Sequence, residues 1–345
     1  MPTRSISLAF AAVLAVLLPG QVVAQELTIG TIGASSDAPF FIAEKKGYFR
    51  DEGLNVKFIR FDSAAKMIPS LGTGEIDVGS GATSSGLYNA VKRGVAIKIV
   101  ADKAHNAPGY AFQSILVRKD NFDSGKVKSL KDFKGLKVAV SAAGNAEAAF
   151  LNFALQKNGL AFSDIDPLYI GFPQHIAAYQ NGAVDASLTV EPTTSQILKL
   201  GAAVKLIGAD EVYPNYETAV IFYGGEFIKK NPEGAKKFMK ALLRGARTYN
   251  DALKDGKLAG PGADEIISIL TEYSHIKDPA VHRAIISHAV HPDGETNDSL
   301  KTAWEFFRDT KQTDGSVKLE DVVDMSFARE AAKALGPYQK KHAAH

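Results

Sequence analysis

The chain contains no cysteine among its 345 residues. No disulfide can therefore form, and neither a cysteine nucleophile nor a cysteine-based metal site is present. A bacterial lipoprotein carries its lipid on a cysteine directly after the signal cleavage site, so that kind of anchoring is excluded as well. The fold must be held together by burial of apolar surface, which a chain of this length can supply.

Charge of one sign is not in excess. The 40 lysines and arginines nearly balance the 38 acidic residues, which leaves a formal net charge of +2. This balance argues against a nucleic-acid partner, because such a partner needs a clustered basic surface. Beyond the N-terminal segment no apolar run reaches the length of a membrane-spanning helix, so we expect membrane contact only through another protein.

Motifs for nucleotide binding and nucleophilic catalysis are missing too. Gly79-Ser-Gly81 is next followed by glycine at Gly86, which is not the spacing of a dinucleotide-binding loop. No Gly-x-Ser-x-Gly motif occurs. The one histidine cluster, His282, His288 and His291, lacks a completing ligand set, and Pro292 ends the helix there. We predict no catalytic residue, no cofactor and no metal.

The first 24 residues have the pattern of a secretory signal peptide. Arg4 precedes an apolar run from Leu8 to Leu18, and small residues lead to a cleavage site after Ala24. The apolar run is too short for a permanent membrane anchor. We therefore predict a signal peptide over residues 1–24 and a mature protein exported to the periplasm, soluble and monomeric.

The most informative positive feature is an internal repeat. One phrase, Ile68-Pro-Ser-Leu-Gly-Thr-Gly-Glu-Ile-Asp77, returns as Ile176-Ala-Ala-Tyr-Gln-Asn-Gly-Ala-Val-Asp185. In both copies a helix is predicted to end at glycine, which accepts the left-handed backbone conformation, and an apolar strand follows. The repeat predicts two similar lobes, and a protein of two facing lobes usually holds something in the cleft between them.

Strands and helices alternate along both halves, which predicts an α/β protein with parallel sheets covered by helices. Strands predicted at 113–118 and 218–223 bracket the second copy, so the chain should cross between lobes twice and form a hinge. The predicted domains are 25–113 plus 219–345 for the first lobe and 114–218 for the second. A mainly helical region follows, including a helix predicted over 279–288.

Ligands of such sheets lie beyond the carboxyl ends of the strands, where helices begin. In the first lobe the loop with Ser35, Ser36 and Asp37 precedes a helix that starts near Pro39. These side chains could cap the helix, contact a ligand, or do both. The equivalent positions after the second and third strands are Ser63, Thr83 and Ser84.

The second lobe offers matching loops. Around the first, backbone N–H groups could face a ligand at Ser141, Gly144, Asn145 and Ala146. In the next loop Phe172 could stack on a flat ligand, whereas His175 has the position of an ordinary helix-start side chain. Glu191 aligns with Thr83 and could either form a hinge salt bridge or accept hydrogen bonds from a ligand.

Two tyrosines lie at the crossings between the lobes. Tyr110 precedes the outgoing strand and Tyr216 precedes the returning one. Aromatic rings at a hinge can pack in a core or line a cleft, and we predict cleft positions for both.

Several phrases together resemble one family. They are Ala38-Pro-Phe-Phe-Ile-Ala-Glu-Lys-Lys-Gly-Tyr-Phe49, Gly74-Glu-Ile-Asp77, Leu130-Lys-Asp-Phe-Lys-Gly135, and Gly182-Ala-Val-Asp185 followed by Glu191-Pro192. The chain resembles the periplasmic substrate-binding proteins of ABC importers in the nitrate, taurine, alkanesulfonate and thiamine-precursor group. The resemblance implies a type II periplasmic binding protein fold, two lobes that close on a small molecule, and docking on a membrane permease with its ATPase. It also implies ligand contacts in the loops named above.

The resemblance leaves the ligand open. The candidate loops carry no lysine or arginine before Lys66, which argues against a sulfonate or nitrate. Phe172, Tyr110, Tyr216 and Glu191 suit a flat aromatic carboxylate or a nitrogen heterocycle better. The alternatives are a taurine-, sulfonate- or nitrate-type anion binder, a sensor that presents ligand to a receptor, and a pyrimidine-precursor synthase. Those synthases have a cysteine-rich segment and are not exported.

Overall fold

The computed structural model describes residues 25–274 and 276–341. The predicted signal peptide, residues 1–24, lies outside the described residues. Within the described ranges no helix combines the length and apolar character needed to cross a membrane.

Twelve strands occur in the described residues. In chain order they are β1 Gln25–Thr31, β2 Leu54–Arg60, β3 Val78–Gly81, β4 Ile97–Asn106, β5 Gln113–Arg118, β6 Lys137–Val140, β7 Asp166–Tyr169, β8 Ala186–Val190, β9 Ala203–Gly208, β10 Tyr216–Gly224, β11 Leu253–Lys254 and β12 Lys257–Leu258.

Sixteen α-helices accompany them in the described residues. They are α1 Ala38–Lys45, α2 Tyr48–Asp51, α3 Ile68–Thr73, α4 Ser85–Lys92, α5 Lys119–Asp123, α6 Ala146–Gln156, α7 Phe172–Gln180, α8 Thr193–Lys199, α9 Ala209–Val212, α10 Gly225–Lys230, α11 Pro232–Asp251, α12 Ala263–Tyr273, α13 Pro279–Ala284, α14 Leu300–Asp309, α15 Leu319–Val322 and α16 Ser326–Leu335.

The strands form two five-stranded sheets of the same design. The first sheet has the order β2-β1-β3-β10-β4 and the second has the order β7-β6-β8-β5-β9. In each sheet the first three strands of this order (β2-β1-β3 and β7-β6-β8) are parallel, while β10 or β5 runs antiparallel to its neighbours. The sheets are therefore mixed, not purely parallel as the alternation of strands and helices predicted. The predicted α/β class with two sheets and a helical C-terminal region is confirmed.

The antiparallel strands are the ones that follow the crossings between sheets. The connection from β4 to β5 leaves the first sheet, and the connection from β9 to β10 returns to it. β5 begins at the predicted residue, and β10 begins two residues earlier than predicted. The domain boundaries themselves, 25–113 with 219–345 and 114–218, stay a prediction.

The repeat has the same physical role in both sheets. Gly74 and Gly182 have φ values of 75° and 72°, the left-handed conformation that ends a helix without a Cβ penalty. The Asp77 carboxylate then accepts a hydrogen bond from the Thr28 N–H at 2.8 Å, and the Asp185 carboxylate accepts one from the Lys137 N–H at 3.1 Å. Asp77 thus ties the start of β3 to β1, and Asp185 ties the start of β8 to β6.

Apolar side chains fill separate cores on the sheets. The largest lies between the first sheet and the helices α1, α11, α12 and α16, and it includes Phe40, Tyr223 and Phe238. The second sheet has its own core against α6, centred on Phe133 and Phe150. Burial of this much apolar surface is what allows a chain without disulfides to fold.

The helix predicted over 279–288 ends at Ala284 instead. Downstream residues bond to other elements: the Ser287 N–H donates to the Gly256 carbonyl at 2.8 Å, and His105 on β4 donates its N–H to the Ala289 carbonyl at 3.0 Å. These bonds place the following segment along β4, where an extended backbone fits and a helix does not.

Candidate functional site

The loops that follow the strands of the two sheets meet each other. We call the segments after β1, β2 and β3 (32–37, 61–63 and 82–85) the first-sheet loops, and those after β6, β7 and β8 (141–146, 170–175 and 191–195) the second-sheet loops. The Ser35 N–H donates to the Glu191 carbonyl at 3.1 Å, and the Ala146 N–H donates to the Thr83 carbonyl at 2.8 Å. The predicted site residues after both sets of strands therefore share one region.

Several hydroxyl groups of the first-sheet loops are buried without a partner. The side-chain oxygens of Ser35, Ser36, Ser63 and Thr83 have no hydrogen bond to any described residue. Buried polar atoms are nearly always hydrogen-bonded in folded proteins, so a cluster of exceptions calls for an explanation. A bound polar molecule would supply the missing partners.

Asp37 has a different position in the same loop. Its carboxylate forms an ion pair with Lys103 of β4, and both side chains are almost completely buried, at 0 % and 2 % exposure. Its second oxygen accepts a hydrogen bond from the Gly33 N–H at 2.7 Å. Asp37 is thus engaged within the protein. Pro39 lies in the first turn of α1, as its fixed φ favours.

Ser84 lies where the two sets of loops are joined most closely. Its hydroxyl accepts a hydrogen bond from the Leu87 N–H at 3.3 Å and so caps α4. The next residue, Ser85, donates its N–H to the Gly144 carbonyl at 2.7 Å. The backbones of the two sets of loops are therefore hydrogen-bonded to each other directly at this point.

The loop of Ser141 and Asn145 is held by its own side chains. The Asn145 carboxamide accepts from the Ala148 N–H at 3.2 Å, which caps α6, and donates to the Ser141 hydroxyl at 2.9 Å. The Ser141 N–H donates to the Glu147 carboxylate at 3.0 Å, and burial raises the pKa of Glu147. The polar side chains of this loop are thus satisfied internally.

Phe172 and His175 begin α7. Phe172 is buried in an apolar cluster that includes Ala34 and Phe112, so it bridges loops of the two sheets. The two ring nitrogens of His175 lie 2.8 Å from the Thr189 hydroxyl and 3.1 Å from the Ile170 carbonyl. Burial lowers the pKa of His175 to about 4, so the ring is neutral and supports β8.

The Glu191 carboxylate is bound by its own helix. Ser195 donates its N–H and its hydroxyl to the two oxygens, each at 3.0 Å. Burial raises the pKa of Glu191 to about 7. The structure records no ion pair for this carboxylate, so the hinge salt bridge that we considered is not formed among the described residues.

The two tyrosines at the crossings occupy different surroundings. Tyr216 is buried in the core of the second sheet against Phe150, and its hydroxyl donates to the Ala146 carbonyl at 3.0 Å. This core position differs from the predicted cleft position, because the ring turns toward α6. Tyr110 is half-buried and packs against the core of the first sheet.

The other described residues with buried polar atoms that lack a partner include four that were not predicted as ligand contacts. They are Asn106 with both atoms of its carboxamide, Gln113 with Oε1, Thr194 with Oγ1 and His288 with Nε2. Asn106 ends β4 and Gln113 begins β5, so both flank the outgoing crossing. A polar amide at the end of an apolar strand was the available signal.

A narrow cavity of ≈ 10 Å³ lies between the two sets of loops. Its walls include Gly33 and Arg60 from the first sheet, and Phe172, Glu191 and Thr193 from the second. Two larger open hollows lie on the C-terminal segments, around Met325 and around Gly262, and neither is lined by the residues with unpartnered polar atoms. The residues with unpartnered atoms do not line the smaller cavity either, but residues of both sets of loops do, and this makes it the better candidate for a site. No group of three or more residues able to hold a metal ion occurs in residues 25–274 and 276–341.

The architecture defines a class of protein. The structure is similar to the periplasmic nitrate-binding protein NrtA from Synechocystis PCC 6803, with a TM-score of 0.74 and 16 % identity over 90 % of this chain and 89 % of that chain. Likeness at this level of identity establishes the periplasmic binding protein fold, which was the predicted fold.

The family follows from the sequence. The model of the family described as NMT1/THI5 like matches residues 35–254, and the chain belongs to this family. It is 24 % identical to the taurine-binding periplasmic protein of Escherichia coli (strain K12) over 233 residues, which cover 66 % of this chain and 68 % of that protein.

The family also contains enzymes. The chain is 25 % identical over 219 residues to the 4-amino-5-hydroxymethyl-2-methylpyrimidine phosphate synthase THI13 of Saccharomyces cerevisiae, which covers 60 % of this chain and 61 % of that protein. The chain thus spans about three fifths of the length of the yeast relative. Membership alone leaves binding and catalysis to be decided from the site.

Proposed function

We propose that this protein is the extracytoplasmic solute-binding component of an ABC importer. It captures a small organic molecule between the two sets of loops and delivers it to a permease that works with an ATPase. The observation that carries the proposal is the group of buried hydroxyls on the first-sheet loops, at Ser35, Ser36, Ser63 and Thr83, whose oxygens have no partner among the described residues. A small molecule with polar groups would complete their hydrogen bonds.

Binding is favoured over catalysis by the state of the candidate acid–base groups. Both nitrogens of His175 and both oxygens of Glu191 are engaged with neighbouring protein atoms. A general acid or base has to reach the proton that it transfers. Within the described site these two groups have no free position for that task.

The proposal also covers the chemical class of the ligand and the cellular location of the protein. The ligand is a small organic molecule, with a nitrogen heterocycle or an aromatic carboxylate as the classes that the aromatic residues suggested. The taurine-, sulfonate- or nitrate-type anion of the relatives is the rival. The protein acts as a monomer in the periplasm after cleavage following Ala24.

Mass spectrometry of the purified protein tests the proposal. The mature protein is unfolded in denaturant to remove any bound ligand and is then refolded. It is equilibrated with a small-molecule cell extract, and the compounds that it retains after gel filtration are identified. We expect one compound class to be retained near one molecule per chain. Retention of no compound, in a refolded protein with native circular dichroism, would overturn the proposal.

Closure of the two lobes can be tested separately with a pair of introduced cysteines, because the chain has none of its own. A Cβ at Gly171 would lie 3.4 Å from the Cβ of Asp62, which is close to disulfide geometry and joins the two sets of loops. The double variant Asp62→Cys/Gly171→Cys should crosslink under mild oxidation, and faster when the retained compound is present. The single variant Asp62→Cys is the control for oxidation between molecules. A crosslinking rate that is the same with and without the compound would contradict closure linked to ligand binding.

A further inference from the structure

Two buried acids lie where the chain crosses between the sheets. Asp102 is near the end of β4, and Glu217 is the second residue of β10 and lies opposite His105 of β4. Each acid is only 3 % exposed. Because β4 leads into the outgoing crossing and β10 follows the returning one, this acid pair, Asp102 and Glu217, lies where both crossings join the first sheet.

An irregular register brings these side chains together. Residues three apart on a regular strand point to opposite faces, yet Asp102 Oδ2 lies 3.0 Å from His105 Nδ1. The pairing of β10 with β4 shifts between Glu217 and Val220, and such a bulge re-aims the side chains around it. Asp102 and His105 therefore share a face, and Glu217 reaches the same place from β10.

Each acid has one engaged oxygen and one that lacks a donor. Asp102 Oδ2 accepts from His105 and from the His291 N–H, and Glu217 Oε2 accepts from the N–H and the carboxamide of Asn297, both at 3.2 Å. Asp102 Oδ1 and Glu217 Oε1 are buried, and no N–H or hydroxyl of the described residues bonds to them. A carboxylic acid donates to a carboxylate, so one proton between the two acids supplies the missing bond for both oxygens.

The surroundings place this proton on Glu217. Burial raises the pKa of Glu217 well above its usual 4.5, and the charge of Asp102 and the hydrogen bond between the acids raise it further. Burial also disfavours ionised Asp102, but the hydrogen bond and charge of His105 bring the pKa of Asp102 below its usual value. A cationic His105, an ionised Asp102 and a neutral Glu217 sum to zero charge.

The other titratable groups around the acid pair offer no second counter-charge. Burial lowers the pKa of His288 to about 3, so its ring is neutral, and burial raises the pKa of Tyr216, which is neutral as well. Each remaining group is engaged elsewhere: Lys103 of β4 with Asp37, Asp293 with Arg247, Glu295 with Arg329, and the His291 ring with the N–H groups of residues 293 and 295.

We propose that Asp102 and Glu217 share a single proton, and that this proton holds β10 against β4 at the base of both crossings between the sheets. Loss of the proton in alkaline solution leaves two buried negative charges side by side with one counter-charge, and the strands at the crossings loosen. The folded protein keeps a proton that the unfolded chain releases above pH 4.5. The free energy of unfolding therefore falls as pH rises from 4.5 until the acid pair ionises.

The acid pair also connects the crossings to the segment 291–299. The His291 N–H bonds to Asp102, the Asn297 N–H bonds to Glu217, and the Glu217 N–H donates to the Ser299 hydroxyl at 2.6 Å. A loosened pair thus releases three parts of the first lobe from one another. None of these contacts needs a ligand, so the acid pair acts in the free protein and stands apart from the identity of the bound molecule.

Infrared spectroscopy detects the shared proton directly. Above about pH 7, where Glu191 is ionised, the wild-type protein should show a band of a protonated carboxyl group that is absent from Glu217→Gln. Glu233→Gln, on the exposed surface of α11, is the control and should keep the band. A wild-type protein without the band, or a band that persists in Glu217→Gln, overturns the proposal.

Titration of this band separates sharing from burial alone. In Asp102→Asn the negative neighbour is gone and a carboxamide donates to Glu217, so the band should disappear at a pH at least about one unit lower than in the wild type. An unchanged midpoint would mean that Glu217 keeps its proton without Asp102, which contradicts sharing. The wild-type titration carries the test if Asp102→Asn does not fold, because the proposal requires a single protonated group that ionises in alkaline solution.

Hydrogen exchange of backbone amides measures whether the proton holds the strands. Glutamine at position 217 keeps a donor for Asp102 at every pH. Once the wild-type band has disappeared, the amides of β4 and β10 should exchange about tenfold faster in the wild type than in Glu217→Gln at the same pH. The amides of β6 and β7 in the second sheet should exchange equally in both proteins. Equal exchange in β4 and β10, or a difference spread evenly over both sheets, overturns the role of the acid pair at the crossings.

Discussion

The loops of the two sheets occupy equivalent places in a repeated design but treat their polar groups differently. On the first-sheet loops the hydroxyls of Ser36, Ser63 and Thr83 are buried without partners among the described residues. On the second-sheet loops Asn145 and Glu191 are bonded to neighbouring backbone and side-chain groups, and Thr194 alone among the residues of these loops has a buried side-chain oxygen without a described partner. Because the two sheets share strand order and helix starts, the fold itself does not require this difference.

The difference assigns separate tasks to the two sets of loops. Internal caps fix the second-sheet loops before any ligand arrives, so they can serve as a preformed wall. The first-sheet loops keep their hydroxyls for a partner that the fold does not provide. Ligand recognition should therefore depend more strongly on the first-sheet loops, whereas the second-sheet side chains should matter more for stability.

The largest expected effect concerns Glu191 on the second-sheet loops. Burial raises its pKa to about 7 in the folded protein, against an ordinary value of 4.5. The folded state therefore keeps a proton that the unfolded state releases, and the free energy of unfolding should fall as pH rises from about 4.5 to about 7. Glutamine in Glu191→Gln does not titrate, so the free energy of unfolding of this variant should not fall in the same way. Relative to the wild type it should increase over that window by up to about 3 kcal/mol.

Urea unfolding at a series of pH values measures this difference. Glu233→Gln, on the exposed surface of α11, is the control for loss of one acidic residue. A constant difference between Glu191→Gln and wild type across the window would mean that Glu191 is solvated, and that the loops do not meet as described.

The next effect is on ligand affinity. Ser36→Ala combined with Thr83→Val removes two hydroxyls that have no described partner, so affinity for the compound found by mass spectrometry should fall about 30-fold, or about 2 kcal/mol. Stability without ligand should not fall, because no bond within the protein is lost. Calorimetry and thermal melts measure the two quantities.

Ser84→Ala is the matched control for that double variant, because its hydroxyl caps α4. It should lower stability by about 1 kcal/mol and leave affinity nearly unchanged. If both variants lower affinity equally, the distinction between free and engaged hydroxyls on the first-sheet loops is wrong.

Much of the fold could be predicted because local signals agreed with the global design. The glycine and aspartate of each repeat predicted a helix end followed by a strand, and Gly74 with Asp77 does this as Gly182 with Asp185 does. The antiparallel direction of β5 and β10 could not be read from periodicity, because it depends on which sheet each strand joins. The predicted end of the helix over 279–288 was wrong for a similar reason, because the Ala289 carbonyl accepts a hydrogen bond from the His105 N–H of β4.

The site was predictable as a set of loops but not as a set of contacts. Small polar residues after strands indicated the region, yet nothing local separates the cap at Ser84 from the free hydroxyl at Thr83. The role of Asp37 depends on Lys103, which lies 66 positions away on β4. Interactions between elements distant in sequence decide which polar groups stay free, and those follow only from the packed structure.

The smallest expected effect tests the preformed wall. Asn145→Ala removes the cap of α6 and the donor to the Ser141 hydroxyl, so the free energy of unfolding should fall by about 1 kcal/mol. Asn145→Ser keeps a capping oxygen and should recover most of that loss of stability. In both variants the affinity for the retained compound should change by less than about threefold. A large loss of affinity in Asn145→Ala, at unchanged stability, would place a ligand contact on the second-sheet loops. The contrast between the two sheets would then have to be replaced by a site shared evenly between them.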